Sequence, residues 1–262
     1  HWEHKADHQR VRWYQAAQRR RKESESATAI EEAIGSLVHA SEHGDEKVLD
    51  AFAEAYQPVL DGMLETLGRL GIQFDRFTKE SLFVTNGDVA KLMTELGRLD
   101  INGVADNGAQ YLDLGQRGLK GKTEFFYRRG DGSSLYATRD IAYHRWKWTQ
   151  CSELINVLGE DHKLQAQQVG LTLEELGERR PEVMFYSFIK LPEGKMSTRR
   201  GNVVFMDDLL EEAHAQAADV LRERRPGMNE AEMDAIAEAV GTSAVRFNIV
   251  SVSPEKGFTF RW

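Results

Sequence analysis

The chain has 262 residues, with 34 Lys and Arg against 42 Asp and Glu and a formal net charge of −8. Hydrophobic residues make up 41% and charged residues 29%, an ordinary soluble composition that excludes a wholly disordered, collagenous or membrane-spanning chain, and no apolar run approaches the ~20 residues needed to cross a bilayer. One cysteine, Cys151, rules out an internal disulfide framework and fits a reducing cytoplasm. The acidic balance argues against a general nucleic-acid coat and leaves room for a local basic patch.

The first ~100 residues read as helices. Trp2 to Lys22 holds no Pro or Gly and ends in Arg19-Arg20-Arg21-Lys22. Ile30, Ile34, Leu37 and Val38 form an amphipathic stripe that Gly44-Asp45 breaks. A helical pattern from Val48 to Leu67 follows, with Pro58 as a kink or restart, and Asn86-Gly87 marks a turn before a short helix through Leu96. The character changes at about residue 102. Gly103, Gly108, Gly115, Gly118 and Gly121 punctuate a loop- and strand-rich stretch, Thr123 to Tyr127 is strand-like, and Arg129-Gly-Asp-Gly132 is a turn. A helix is expected over Leu135–Trp148, a strand over Leu154–Leu158, a helix over Leu164–Leu176 and a strand over Val183–Ile189. Helices at 207–225, 229–240 and 243–249 close the chain. Strands alternating with helices at this spacing predict an α/β fold with a parallel sheet and crossover helices.

Three constellations could carry chemistry. Glu193-Gly-Lys-Met-Ser-Thr-Arg-Arg-Gly-Asn202 sets Lys195, Ser197, Thr198, Arg199 and Arg200 between two glycines after an apolar strand. A cationic, hydroxyl-bearing loop suits a triphosphate, though the P-loop spacing is absent; a solvated basic loop is the alternative. Leu154 to His162 opens an apolar strand into Gly159, Glu160, Asp161 and His162. Ligands of open α/β sheets bind beyond the carboxyl ends of strands; otherwise Asp161 caps the next helix and His162 is exposed. Tyr136 and Asp140 lie four apart, on one helical face, where a phenol and a carboxylate suit a cationic ligand such as a guanidinium; the alternative is an Asp–Arg pair within the helix. His1, His4 and His8 lack the spacing partners that would support a metal site, and no metal is expected. Arg19 to Lys22 could touch RNA phosphates or be a solvated helix end. No G-x-S-x-G is present.

Together, Leu135-Tyr-Ala-Thr-Arg-Asp-Ile-Ala-Tyr-His144, Val157-Leu-Gly-Glu-Asp-His-Lys-Leu-Gln165 and Gly194-Lys-Met-Ser-Thr-Arg-Arg-Gly-Asn202 resemble arginyl-tRNA synthetase, in wording closest to its archaeal-type branch. The resemblance extends to Leu70–Asp75, Ala239–Arg246 and Ser253–Lys256 and is densest over 103–262. It implies a class I enzyme with a Rossmann-type parallel sheet, activating arginine with ATP (expected with Mg2+) and esterifying tRNA(Arg). Lys195-Met-Ser-Thr-Arg199 stands where the class carries Lys-Met-Ser-Lys-Ser, with Thr198 in place of the second Lys. Lys195 and Ser197 are then the catalytic candidates, Tyr136, Asp140 and His162 bind arginine, and Gly159, Asp161, His162, Lys195, Met196 and Arg199 border the nucleotide.

One departure stands out. No His in this chain is followed two residues later by Gly-His, so the His-x-Gly-His signature of the first Rossmann half is missing. With His1 in place of Met and Trp262 inside an apolar alternation, the chain reads as an excised middle of a longer protein. Residues 1–102 would be the helical segment between the Rossmann halves, and 103–262 the second half. The expectation is an inactive, monomeric, cytoplasmic fragment of an arginine-tRNA ligase. A freestanding, non-catalytic synthetase-like binding module is the alternative.

Overall fold

The computed structural model describes residues 2, 4–23, 27–192, 194, 195 and 204–259. By contact the chain forms two compact units. One comprises 1–27, 53–76 and 187–262, and the other comprises 28–52 and 77–186. This division is one of contact, whereas the change of character near residue 102 is one of composition.

The second unit is a mixed α/β body. Helices α2 (Ala27–Glu42) and the start of α3 (Glu46–Arg69) lead to α4 (Ser81–Thr85) and α5 (Asp88–Leu96). Strands β1 (Asn102–Val104), β2 (Gln110–Asp113) and β3 (Glu124–Arg128) then make an antiparallel sheet in that order. Helix α6 (Tyr136–Gln150) precedes β4 (Ile155–Gly159), α7 (Lys163–Glu175) and β5 (Glu182–Tyr186), and β4 pairs with β5 in parallel. The expected parallel sheet with a crossover helix is therefore this β4–α7–β5 unit. The glycine-rich stretch before it pairs antiparallel, because its connections are too short for a crossover. The core gathers Phe83, Leu92, Leu96, Ile101, Leu112, Phe125, Tyr127, Ile141 and Leu173. Leu112 and Phe125 are register partners on the buried face, and Tyr111 and Phe126 pair on the other.

The sheet also sets where α6 begins. The Tyr127 carbonyl accepts from the Leu135 amide at 3.2 Å and from the Thr138 hydroxyl at 2.5 Å. Thr138 is fully buried. The first turn of α6 is thereby fixed to β3 by backbone and side chain together. Its N-cap position, Leu135, provides no side-chain cap.

In the first unit, α1 (Ala6–Glu23), the later part of α3, a short antiparallel pair β6 (Lys190–Leu191) and β7 (Gly194–Lys195), α8 (Met206–Arg224) and α9 (Glu230–Val250) come together. Pro58 lies inside α3, which continues past it. One sequence expectation changes here. The two helices expected at 229–240 and 243–249 are one, α9, running through Gly241. A Cβ on Gly241 would lie 2.8 Å from the Ala213 carbonyl carbon and 2.9 Å from the His214 nitrogen on α8. This glycine is where two helix backbones touch, not where a helix stops.

A buried polar cluster anchors α1. The Lys5 ammonium donates to Asp207 Oδ2 and Thr66 Oγ1, both at 2.6 Å, and to Asp7 Oδ2 at 3.3 Å. His8 Nε2 is 2.7 Å from Asp207 Oδ2, and Thr66 donates to Asp207 Oδ1 at 2.8 Å. Burial pushes the Asp207 carboxyl up, but the bonds from Lys5, His8 and Thr66 outweigh it and hold it below the usual carboxylate range. Asp7, His8 and Asp207 could together ligate a metal, yet the cation seated among them is the Lys5 ammonium. Among the described residues, no helix is long and apolar enough to cross a membrane.

Candidate active site

Five of the expected site residues fall in the second unit, on or beside the βαβ element. Tyr136 opens α6 and is half exposed, with the Arg139 guanidinium 6.0 Å from its ring centroid. Partial burial pushes its phenol up, helped by the charges of Glu80 and Asp140. One turn on, Asp140 is three-quarters buried, with its side chain 24% exposed. The Asp–Arg pair considered from sequence is not the one formed: Arg139 pairs with Glu80 at 3.3 Å and Glu42 at 3.5 Å.

Asp140 is held by groups the sequence reading did not single out. His144 Nδ1 lies 2.7 Å from the Asp140 carbonyl oxygen and 3.2 Å from Oδ1. From α7, Gln165 Nε2 donates to Asp140 Oδ2 at 3.4 Å. On its other side, His144 Nε2 faces Lys147 Nζ at 3.2 Å and Asn156 Nδ2 at 2.7 Å. Asn156 Oδ1 in turn accepts from Lys147 at 3.0 Å. An ammonium has no acceptor capacity. The side of the ring facing Lys147 must therefore accept, which puts the ring proton on Nδ1, aimed at Asp140. The amide of Asn156 is oriented by the same argument.

The electrostatics follow from this arrangement. Burial pushes the Asp140 carboxyl up, but the His144 hydrogen bond, the nearby Lys147 charge and the Gln165 bond together hold it below the usual range. Burial pulls the Lys147 ammonium down, against the opposing pull of Asp140. The result is a carboxylate kept charged and oriented, with one edge toward Gln165. It can receive a guanidinium through two parallel bonds.

His144 and Lys147 sit at i+4 and i+7 from Asp140, and that spacing was the available signal. Asn156 is a polar residue in an apolar strand. It lies on the same strand face as Leu158, opposite the exposed Ile155 and Val157. Nothing local in the sequence marks Gln165.

Gly159 is buried at the carboxyl end of β4, opposite Tyr186 of β5. Glu160–His162 form a single 3-10 turn leading into α7. Asp161 is exposed and His162 half-buried, with Asp161 Oδ2 3.7 Å from His162 Nε2. The cap position of α7 is His162, and its side chain makes no cap bond. Gly159, Asp161 and His162 thus line the strand end where open α/β sheets bind ligands. Lys195 belongs to the other unit, where its backbone forms β7. Met196, Ser197, Thr198, Arg199 and Arg200 lie outside the described residues.

Comparison with known proteins gives one consistent result. The family model described as tRNA synthetases class I (R), catalytic domain, matches residues 4–262. The chain is 46% identical over 259 residues to the arginine–tRNA ligase of Methanocella arvoryzae, and 42% identical over 258 residues to that of Methanothermobacter thermautotrophicus. Each alignment covers 98% of this chain but only 45% and 44% of the relative. The chain therefore spans under half the length of the curated relatives it matches. In fold it is similar to Thermus thermophilus arginyl-tRNA synthetase, with a TM-score of 0.73 at 22% identity, over 93% of this chain and 46% of that one.

Proposed function

Because the chain belongs to the class I arginyl-tRNA synthetase catalytic-domain family, we propose that it is the second half of the catalytic domain of an arginine-tRNA ligase. The observation that carries this reading is the Asp140 carboxylate, kept charged by the His144 bond and flanked by Gln165 and Tyr136. In the proposed reaction Asp140 takes the arginine guanidinium and Tyr136 hydrogen-bonds to the substrate. Gly159, Asp161 and His162 border the nucleotide. One oxygen of the arginine carboxylate bonds to the α-phosphorus of ATP, and the bond to pyrophosphate breaks, with its electron pair leaving on pyrophosphate. Lys195, with Ser197, stabilises the charge that builds up there, which is electrostatic rather than covalent catalysis, while Met196 and Arg199 border the nucleotide. Mg2+ would accompany ATP and neutralise its phosphates. A terminal ribose hydroxyl of tRNA(Arg) then takes the arginyl group and releases AMP.

We further propose that the 262-residue chain does not complete the first step by itself. The chain lacks His-x-Gly-His, and the β4–β5 pair supports the same view. Parallel sheets are normally covered on both faces, yet Ile155 and Val157 on β4 and Met184 and Tyr186 on β5 are 45–62% exposed. Residues 1–102 are read as the helical segment between the Rossmann halves.

Two measurements test the proposal. Arginine should raise the thermal midpoint of the chain, and Asp140→Asn should weaken arginine binding at least 100-fold, about 2.7 kcal/mol, while leaving ATP binding within a few-fold. An equal loss of both ligands, or none, would remove the role assigned to Asp140. Robust arginine-dependent ATP–pyrophosphate exchange by the purified chain would overturn the claim that it is incomplete.

A further inference from the structure

We infer that the outer face of α1 is a docking surface for an RNA backbone, with Arg12, Arg19 and Arg20 as phosphate ligands and Trp13 as a stacking platform. This rests on the synthetase reading only for its biological partner, the tRNA; the surface chemistry stands on its own. Helix α1 carries six cationic residues against two carboxylates, in a chain whose formal charge is −8. One of those carboxylates, Asp7, is already occupied by Lys5.

The helix is two-sided. Asp7 and His8 are buried in the Lys5–Asp207 cluster, and Val11 faces the same cavity as Val59, Met63 and Leu67. With about 100° per residue, the opposite side presents Trp13, Ala16, Ala17 and Arg20, flanked by Arg10, Arg12 and Arg19. Arg12, Arg19 and Arg20 are exposed, and Trp13 is 58% exposed. The Arg10 guanidinium lies 4.4 Å from the Trp13 ring centroid. Arg10 to Arg20 spans about 15 Å of helix.

This combination favours RNA over the other polyanions. Every cation in the exposed set is an arginine, whose fork matches phosphate geometry. A large, solvent-facing indole among phosphate ligands offers a stacking surface for an unpaired base. An interfacial membrane helix needs a continuous apolar face, and here the outward side has two alanines and one tryptophan. The buried cluster at its start anchors that end of the helix.

The test uses the 262-residue chain at about 50 mM salt and upward. The probes are a transcribed arginine tRNA, an unrelated transcript of equal length, heparin and phosphatidylserine vesicles. Binding is read by filter retention and tryptophan quenching. We expect both transcripts to bind with a steep salt dependence. Arg12→Gln/Arg19→Gln/Arg20→Gln should weaken binding at least tenfold and make the log–log salt slope shallower by about 2–3. Trp13→Leu should remove most of the quenching. Circular dichroism and the arginine-induced thermal shift of these variants should match the parent. Absence of transcript binding, unchanged affinity in the triple variant, or binding to heparin or vesicles in preference to RNA would each overturn the inference. If RNA binding behaves as described but arginine gives no thermal shift, the synthetase reading fails and the surface stands.

Discussion

The His144 side chain gives the sharpest test of the site geometry. It is 4% exposed and makes bonds in both directions, donating from Nδ1 toward Asp140 and accepting at Nε2 from Asn156 and Lys147. In His144→Ala, the Asn156 amide loses its acceptor, Lys147 keeps Asn156 and the Tyr143 ring face, and the Asp140 carboxylate keeps Gln165. A buried hydrogen bond is worth about 1 kcal/mol net, and an orphaned buried donor costs about 1–3 kcal/mol. With three bonds lost and one donor stranded, we expect a cost of about 4–6 kcal/mol. His144→Asn keeps a donor near the Nδ1 position but does not reach Asn156, so about 3–5 kcal/mol is expected. Urea unfolding at pH 7.5 reads both. Arginine affinity should fall about tenfold in the alanine variant, about 1.4 kcal/mol, and less than threefold in the asparagine variant. The tautomer can be seen directly: long-range 1H–15N spectra of the parent should show the ring proton on Nδ1. A proton on Nε2, or a cost below about 1 kcal/mol for alanine, would refute the reasoning.

Other predictions follow from the first unit. Gly241→Ala should destabilise the chain by about 2 kcal/mol, because its Cβ would press on the α8 backbone. Helix propensity alone predicts a gain of about 1 kcal/mol, so stabilisation on urea unfolding would show that the helices do not touch there. Asp207 sits below its unfolded value, so its contribution is present above about pH 4 and is lost as pH falls through the lower folded value. Asp207→Asn should cost about 3 kcal/mol at pH 7, because it leaves the buried Lys5 ammonium with only the longer Asp7 ion pair. It should also flatten the acid limb of the stability–pH curve, and an unchanged limb would reassign acid sensitivity to other carboxylates.

Local pattern made much of this molecule legible. The i+4 spacing of Tyr136 and Asp140 placed both on α6, and the apolar run before Gly159 placed that glycine at a strand end. What pattern could not supply were facts of approach between distant segments. Gly241 looked like a helix end because a glycine in a helix costs stability, and only the nearness of Ala213 gives it a reason to be there. Asn156 and Gln165 come from β4 and α7, so no spacing along α6 could tie them to Asp140. The histidines near the chain start were weighed as metal ligands on their mutual spacing. His8 instead meets Asp207, 199 positions away.

That separation bears on how the protein assembles as it is made. Lys5 leaves the ribosome 202 residues before Asp207, which at roughly 5–20 residues per second is an interval of about 10–40 s. The stretch 77–186, whose contacts are made largely within itself, can close in that time. Three separate segments must meet to finish the other unit, and the last of them arrives only after the first has waited with its ammonium in water. Translation therefore orders the two units in time, and the contact that fixes the arginine-rich helix in place waits for a segment made late.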